Sequence, residues 1–292
     1  MSALAGLAPS PGRQDLRKRF VTAIVLGPLF LAAVAIGGVV FLIAVLALVG
    51  LGVWEFYRLA AMKRPRPRTA MGLGLALLFP VLFFLAPASP LTVPGIIALG
   101  VIGVALAQLL DGDSDEALGS VSITVYGAVY VGLLFGHFVL IREISRVVPG
   151  MPYWWGAVLV GLTVVLAWLN DSAAFVIGRR WGRHKLIPRV SPGKTVEGAA
   201  GALAVTMLIA VGVVLAAGSR MPLLAPADAL AIGALVGVTG PIGDLVESAF
   251  KRDAGVKDAS DLIPGHGGVL DRFDSLMAVA PAVWYYLRIV VL

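Results

Sequence analysis

Long apolar segments set the first limit on what this chain can fold into. Nine stretches of 17 to 25 mostly apolar residues follow one another, separated by Gly, Pro or charged residues. A bilayer core about 30 Å thick needs about 20 apolar residues in a helix, and lipid offers no partners to backbone groups outside helices and closed barrels. The sequence therefore predicts an all-α, polytopic integral membrane protein with about nine transmembrane helices, over residues 20–36, 39–61, 70–86, 91–110, 118–141, 153–177, 199–217, 229–250 and 275–292.

The composition excludes several classes of protein. Hydrophobic residues make up 59% of the chain and charged residues 14%, whereas about 25% of a soluble domain is charged. Cysteine is absent, which excludes disulfide frameworks, thiolate nucleophiles and Cys-ligated metals. Any metal must therefore be held by oxygen or by one of the three histidines. In a membrane protein, basic residues in loops orient the spans and contact anionic lipid or phosphate, so the net charge of +6 does not indicate nucleic-acid binding.

The distribution of basic residues predicts an orientation. If the nine spans alternate and the N-terminus is inside, 19 of the 23 Lys and Arg fall on one side of the membrane. Cytoplasmic loops are rich in these residues, so the two most polar segments, 178–198 and 251–274, are predicted to be cytoplasmic in a multi-pass protein of the inner (plasma) membrane. We predict two parts: N-terminal membrane helices over 1–150, and catalytic membrane helices with these two loops over 151–292.

Acidic residues inside the apolar spans are the first candidates for function, because charge is costly there. Asp171 lies near the end of the sixth span. Asp244 and Glu247 lie in the eighth span, three residues apart and therefore on one helix face. Two alternatives stay open for this pair: a functional role, or snorkelling and an ion pair with Lys251, four residues after Glu247.

The segment 251–274 concentrates charge between two apolar spans. It holds five Asp, four Lys or Arg and one His. Carboxylates without cysteine suit Mg²⁺, which also takes substrate phosphate oxygens, and Lys and Arg contact phosphate. His266 is either an ordinary loop histidine or a contact to phosphate or a leaving group. The candidates are Lys251, Arg252, Lys257, Asp258, His266, Asp271, Arg272 and Asp274.

The segment 178–198 is basic and ends in a hydroxyl-containing turn. Gly193-Lys194-Thr195 is similar to the end of a P-loop, but Pro188 replaces the earlier glycine and no soluble strand precedes it, so a P-loop is excluded. Membrane anchors need neither hydroxyls nor a fixed turn, and we therefore predict ligand contacts at Ser191, Lys194 and Thr195. For Arg179, Arg180 and Arg189, anchoring and function are both left open.

At these residues the chain resembles the phosphatidate cytidylyltransferase (CDP-diacylglycerol synthase) family. The family signature reads Ser-x-apolar-Lys-Arg, four residues, Lys-Asp, Pro-x-His-Gly-Gly and Asp-Arg-x-Asp, and all its fixed positions are met from Ser248 to Asp274. The stretch from Asn170 to Gly198 is similar to a second block of the family, whereas the N-terminal half matches only in hydropathy. Phe175 and Val196 stand where the family usually has Tyr and Trp.

The resemblance implies transfer of CMP from CTP to phosphatidic acid, which yields CDP-diacylglycerol and pyrophosphate in phospholipid biosynthesis. It implies Mg²⁺, often with a monovalent cation such as K⁺. The reaction joins two polyanions, so its catalysis consists mainly of positioning and charge neutralisation. The implied roles are metal binding by Asp244 and Asp271; additional ligation by Asp258 and Asp274; charge neutralisation by Lys251, Arg252, Lys257 and Arg272; and cofactor or phosphate contacts by Asp171, Ser191, Lys194 and Thr195.

Two other functions compete with this interpretation. A lipid or polyprenol kinase would use CTP or ATP and transfer the terminal phosphate instead of CMP. A secondary transporter, from a different class, also has intramembrane Asp and helices broken by Gly and Pro, but the chain shows no internal repeat and its charges gather at one edge. The expected partners are CTP, phosphatidic acid and membrane lipid, without nucleic acid, and a homodimer is one open oligomeric state.

Overall fold

The structure is a computed structural model, and it describes residues 27–63, 66–87, 89, 92–111, 116–262 and 267–292. Helices dominate these ranges. In chain order they are α1 (Gly27–Ile36), α2 (Gly38–Ala61), α3 (Thr69–Leu85), α4 (Thr92–Leu110), α5 (Ala117–Gly127), α6 (Leu134–Arg142), α7 (Trp154–Trp181), α8 (Val196–Ala217), α9 (Pro226–Asp253) and α10 (Leu270–Tyr286). A π-helical segment, Ala128–Leu133, joins α5 to α6, and a second one, Leu287–Val291, follows α10. Short 3₁₀ turns lie at Ile144–Arg146 and Gly218–Arg220.

The predicted fold class is confirmed. Seven helical spans within the described ranges are long and apolar enough to cross a membrane, counting α5, the π-helical segment and α6 as one span. The helices α1 and α3 are apolar but shorter, and the number of nine spans stays a prediction.

The structure corrects two boundaries. The segment 178–198 is not an open loop: α7 continues to Trp181, and an antiparallel hairpin of β1 (Lys185–Ile187) and β2 (Ser191–Thr195) precedes α8. The last helix begins at Leu270 and not at Ser275. Leu270 and Met277 are buried on one face of this helix, and an acidic residue in the first turn stabilises the helix N-terminus, so Asp271 and Asp274 belong to α10.

The bundle has a buried centre and a lipid-facing edge. The span Ala117–Arg142 has 67% of its apolar window buried, compared with 17% for α4, so the former is central and the latter peripheral. In the C-terminal half, α7, α8 and α9 pack on one another, and α10 packs on α9 and also on α6. The two halves therefore share an interface at α10, and the predicted division into 1–150 and 151–292 stays a prediction.

Contacts between helix ends agree with the predicted alternation of the spans. Lys63, after α2, pairs with Asp253 at the end of α9 at 2.5 Å. At the other end of the bundle, the Tyr286 hydroxyl of α10 donates to Asp228 in the first turn of α9 at 2.9 Å. The C-terminal ends of α2 and α9 therefore lie together at one end of the bundle.

A buried arginine fixes the turn between α1 and α2. Arg142 is fully buried and donates to the carbonyl oxygens of Val34 at 2.6 Å and Ala35 at 3.1 Å. Gly37 has φ +71°, and a Cβ there would lie 2.2 Å from the guanidinium. Only glycine fits this left-handed, crowded position, so Arg142 is a structural residue of the core and not simply a loop charge.

Candidate active site

Asp244 is positioned by an irregular stretch of α9. Pro241 removes a backbone donor within the helix. Gly243 lets α10 come close, because a Cβ there would lie 2.4 Å from the carbonyl oxygen of Asp274. The Asp244 carboxylate pairs with Lys194 of the hairpin at 2.5 Å and accepts the Ser248 hydroxyl at 3.1 Å.

Three carboxylates from three helices gather here. Asp171 of α7 and Asp274 of α10 both interact electrostatically with Asp244 of α9. The Ser275 hydroxyl lies 3.4 Å from Asp171 Oδ2 as a hydrogen-bond donor, and the Ser275 N–H donates to Asp274 at 2.6 Å. Like charges at close range repel, so this group attracts cations.

A second charged group lies one turn further along α9. Lys251 pairs with Glu247, four residues earlier, and with Asp271 of α10 at 2.6 Å. The other oxygen of Asp271 accepts the N–H groups of Ala259 at 2.9 Å and Gly268 at 2.7 Å. The ion pair considered for Glu247 and Lys251 is therefore present, and Asp271 is tied both to a lysine and to the loop between α9 and α10.

A cavity of about 620 Å³ lies between α7, the hairpin and α9. Its volume is within the range of about 300–1,000 Å³ found for small-molecule sites. All four predicted cofactor-binding residues line this cavity, namely Asp171, Ser191, Lys194 and Thr195. Asp244, Arg179 and Lys185 also line it. Phe175 and Pro241 form part of its apolar wall.

The hairpin that forms one wall of the cavity is held by hydrogen bonds at the start of β1 and at the end of β2. Thr195 is 6% exposed and caps α8 by accepting the Gly198 N–H at 3.1 Å. Glu197 accepts the Arg183 N–H at 3.0 Å and contacts His184 Nδ1 at 2.6 Å. These contacts fix the turn that presents Lys194 to Asp244.

Of the predicted residues that the structure describes, seven are absent from the cavity lining: Lys251, Asp271 and Asp274, which form or adjoin the charged groups described above, and Arg252, Lys257, Asp258 and Arg272. Arg252, Lys257, Asp258 and Arg272 are exposed on or beside the loop after α9. Arg252 donates to the Val256 carbonyl at 3.2 Å. His266 lies outside the described residues. The roles predicted for His266 and for these four exposed side chains, in catalysis or in charge neutralisation, stay predictions.

The donor set fits a hard cation. Among the described residues no three Asp, Glu or His side chains converge closely enough to hold a metal ion alone. Mg²⁺ commonly takes only one or two carboxylates and completes its coordination with water and substrate phosphate. Asp244 lies close to two further carboxylates and could supply one such oxygen ligand; Asp271, one turn before Asp274 on α10, could supply another if it released Lys251.

Two residues near the site come from the N-terminal half and were missed by sequence reasoning. Glu55 of α2 is fully buried and accepts the N–H groups of Val269 at 3.0 Å and Leu270 at 2.8 Å. Tyr130 stacks on Tyr126, and its buried hydroxyl has no hydrogen-bond partner among the described residues. The signal available for Glu55 was that it is the one acidic residue in the apolar span 39–61, whereas nothing in the sequence marked Tyr130.

The comparisons with known proteins point to one family. A sequence model described as "Cytidylyltransferase family" matches residues 17–290. The phosphatidate cytidylyltransferase of Bacillus subtilis (strain 168) is 33% identical over 282 residues, covering 94% of this chain and 98% of the relative. Its counterpart from Pseudomonas aeruginosa is 36% identical over 277 residues, covering 91% and 94%. Since these matches extend over nearly the whole chain, the resemblance seen in the C-terminal motifs is confirmed, and the chain belongs to the cytidylyltransferase family.

Proposed function

We propose that the protein transfers CMP from CTP to phosphatidic acid and forms CDP-diacylglycerol and pyrophosphate. In this reaction a phosphate oxygen of the lipid bonds to the α-phosphorus of CTP, and the bond from that phosphorus to the oxygen bridging to the β-phosphorus breaks. The observation that carries the proposal is a cavity lined by paired acidic and basic residues, between membrane helices, in a chain that aligns along its length with phosphatidate cytidylyltransferases.

The cavity side chains suit two phosphate-bearing reactants. Lys185, Lys194 and Arg179 line it and supply positive charge, which neutralises phosphate and favours the approach of two anions. Phe175 is 66% exposed on the outer surface of α7. The apolar wall beside it therefore continues to the lipid-facing surface, where the acyl chains of the lipid substrate can remain in the bilayer.

We further propose that Mg²⁺ is the cofactor, held by Asp244 and Asp271, with a monovalent cation such as K⁺ as an additional requirement. A bound divalent ion polarises the attacked phosphoryl group and offsets substrate charge. The protein's own part is to orient these carboxylates, through Gly243 for Asp244 and through the N–H groups of Ala259 and Gly268 for Asp271.

The test uses Asp244→Asn and Asp271→Asn in purified, reconstituted protein. Both should abolish transfer of label from α-labelled CTP to lipid and weaken Mn²⁺ binding measured by electron paramagnetic resonance. Asp228→Asn is the matched control, because Asp228 lies on the same helix at the opposite end and bonds to Tyr286; it should keep both properties in the folded protein. Near-normal turnover in either site variant would remove the metal assignment.

The position of the label separates the competing functions. A cytidylyltransferase puts α-label into lipid, whereas a kinase puts only γ-label there. Solute flux in vesicles without CTP would favour a transporter.

We also propose an inner-membrane location with the cavity opening to the cytoplasm, since most basic residues fall on that side of the alternating spans. Single-cysteine labelling from either side of oriented vesicles tests the orientation in this cysteine-free chain. Cross-linking in vesicles tests the homodimer, which stays a prediction.

A further inference from the structure

The buried carboxylate of Glu55 holds the start of α10 from the opposite half of the chain. Its Oε1 accepts from the Ser260 hydroxyl at 2.5 Å and from the Val269 N–H at 3.0 Å, and its Oε2 accepts from the Leu270 N–H at 2.8 Å. Gly268 packs against the carboxylate so closely that a Cβ would lie 2.7 Å from both oxygens. The residues joined in this way are more than 200 positions apart in the sequence.

Glu55 and Asp271 hold the same loop from two directions. Glu55 accepts hydrogen bonds from Ser260 and Val269. Asp271 accepts hydrogen bonds from their neighbours in the sequence, Ala259 and Gly268. The same two carboxylates therefore hold the loop between α9 and α10 at two points, residues 259–260 and 268–269. A shift of Glu55 would move the backbone N–H groups that orient Asp271.

A carboxylate is a costly choice for a purely structural contact inside a membrane helix. Glu55 is 0% exposed, and its charge is stabilised by three hydrogen-bond donors and by the positive end of the α10 dipole. A fixed charge at this point defines the first turn of α10, and with it the positions of Asp271 and Asp274.

We propose that Glu55 is a positioning residue of the active site, which sets the start of α10 and thereby the geometry of Asp271. The expected change in kcat rests on the proposed function. The expected change in the loop between α9 and α10 does not. It also makes the N-terminal half of the chain a direct contributor to the site.

The experiment compares Glu55→Gln with Glu143→Gln. Glu143 is a matched control, because it is also a buried carboxylate of the N-terminal half that accepts a backbone N–H, that of Gly38 at 2.9 Å, but it lies at the other end of the bundle. Glu55→Gln places an amide N–H₂ where a backbone N–H needs an acceptor. It should lower kcat by about a hundredfold, as expected for a small misplacement of a reacting group, while the KM for CTP changes less than about threefold.

A second measurement follows the loop without any substrate. The chain has no cysteine, so Ala259→Cys, in the loop and only 5% exposed, provides a single, buried labelling site. In this background Glu55→Gln should speed maleimide labelling at least about fivefold, because the local opening that exposes such a site becomes more favourable. Glu143→Gln should leave the labelling rate unchanged. Ser260→Ala, which removes one donor and leaves the carboxylate, should produce a smaller change in the same direction and serves if Glu55→Gln does not fold.

The outcomes separate the possibilities. Slower turnover with faster loop labelling in Glu55→Gln, and neither in Glu143→Gln, supports the positioning role. Unchanged kcat and labelling in Glu55→Gln, or equal losses in both Gln variants, overturn it. If the unmodified protein transfers no CMP, the proposed function fails, and the labelling comparison alone decides whether Glu55 controls the loop.

Discussion

Replacement of Lys194 by methionine tests whether the charge balance of the cavity supports turnover. Two lysine–aspartate pairs have the same length, 2.5 Å, but different surroundings. Lys194 and Asp244 are 25% and 29% exposed and lie beside Asp171 and Asp274, whereas Lys63 and Asp253 are 52% and 70% exposed. The comparison of Lys194→Met with Lys63→Met therefore varies burial and neighbouring charge at constant pair geometry.

The expected magnitude follows from burial. Exposed ion pairs contribute about 0.2–1 kcal/mol, and removal of one partner from a fully buried pair costs about 3–5 kcal/mol. The pair of Lys194 is between these limits, and its loss leaves three carboxylates to repel one another and the substrate phosphates. A charge-assisted hydrogen bond from Lys194 to a substrate phosphate contributes on a similar scale, so we expect a transition-state cost of about 1–3 kcal/mol, which corresponds to a fall in kcat/KM of about 5- to 150-fold.

The assay is transfer of α-labelled CTP to phosphatidic acid in vesicles, normalised to folded protein. Lys194→Met should lose kcat/KM by the stated factor, while Lys63→Met should keep it within about twofold. Equal effects of the two substitutions would refute the argument, since they would show that neither burial nor the neighbouring carboxylates matter to the lysine.

Three further substitutions test other parts of the structure. Gly268→Ala should cost about 1–3 kcal/mol of stability, because its Cβ would meet both oxygens of Glu55; the control Gly161→Ala, which has open space around it inside α7, should leave the unfolding temperature unchanged or raise it. Tyr130→Phe should leave the free energy of unfolding unchanged or raise it by up to about 1 kcal/mol, since a buried hydroxyl without a partner is removed; a clear destabilisation would contradict this. Arg189→Ala should keep most CTP-dependent activity, because Arg189 is exposed and absent from the cavity lining; a loss beyond about a hundredfold would assign it to the site.

The sequence predicted the helices and much of the cavity for a common physical reason. Apolar length and local spacing are one-dimensional signals, and lipid enforces them strongly. The same holds for Glu247 and Lys251, whose separation of four residues predicts the pair that the structure contains. Ser191, Lys194 and Thr195 were identified by residue type in a short turn, and all three line the cavity.

Other features depended on contacts between distant segments. The start of α10 was placed five residues too late, because the charged first turn, with Asp271 and Asp274, was interpreted as loop. Its helical state depends on Glu55, more than 200 residues earlier, as an acceptor for its first N–H groups. The carboxylate that each lysine meets likewise depends on tertiary packing, since Lys194 of the hairpin pairs with Asp244 of α9, fifty residues later.

The ion pairs of the site also explain how it can hold so many carboxylates and still bind polyanions. Each central lysine is matched to a predicted metal ligand, Lys194 to Asp244 and Lys251 to Asp271. Under the proposed function, each lysine would exchange its carboxylate for a substrate phosphate, and the carboxylate would then be available to hold a divalent cation. Opposite charges stay paired before and after this exchange, so neither state leaves an uncompensated charge in a low-dielectric environment, where it would be most costly. On this proposal the lysines balance charge with and without bound substrate, so the loss of Lys194 is expected to lower activity more than the loss of an exposed lysine in an equally short pair.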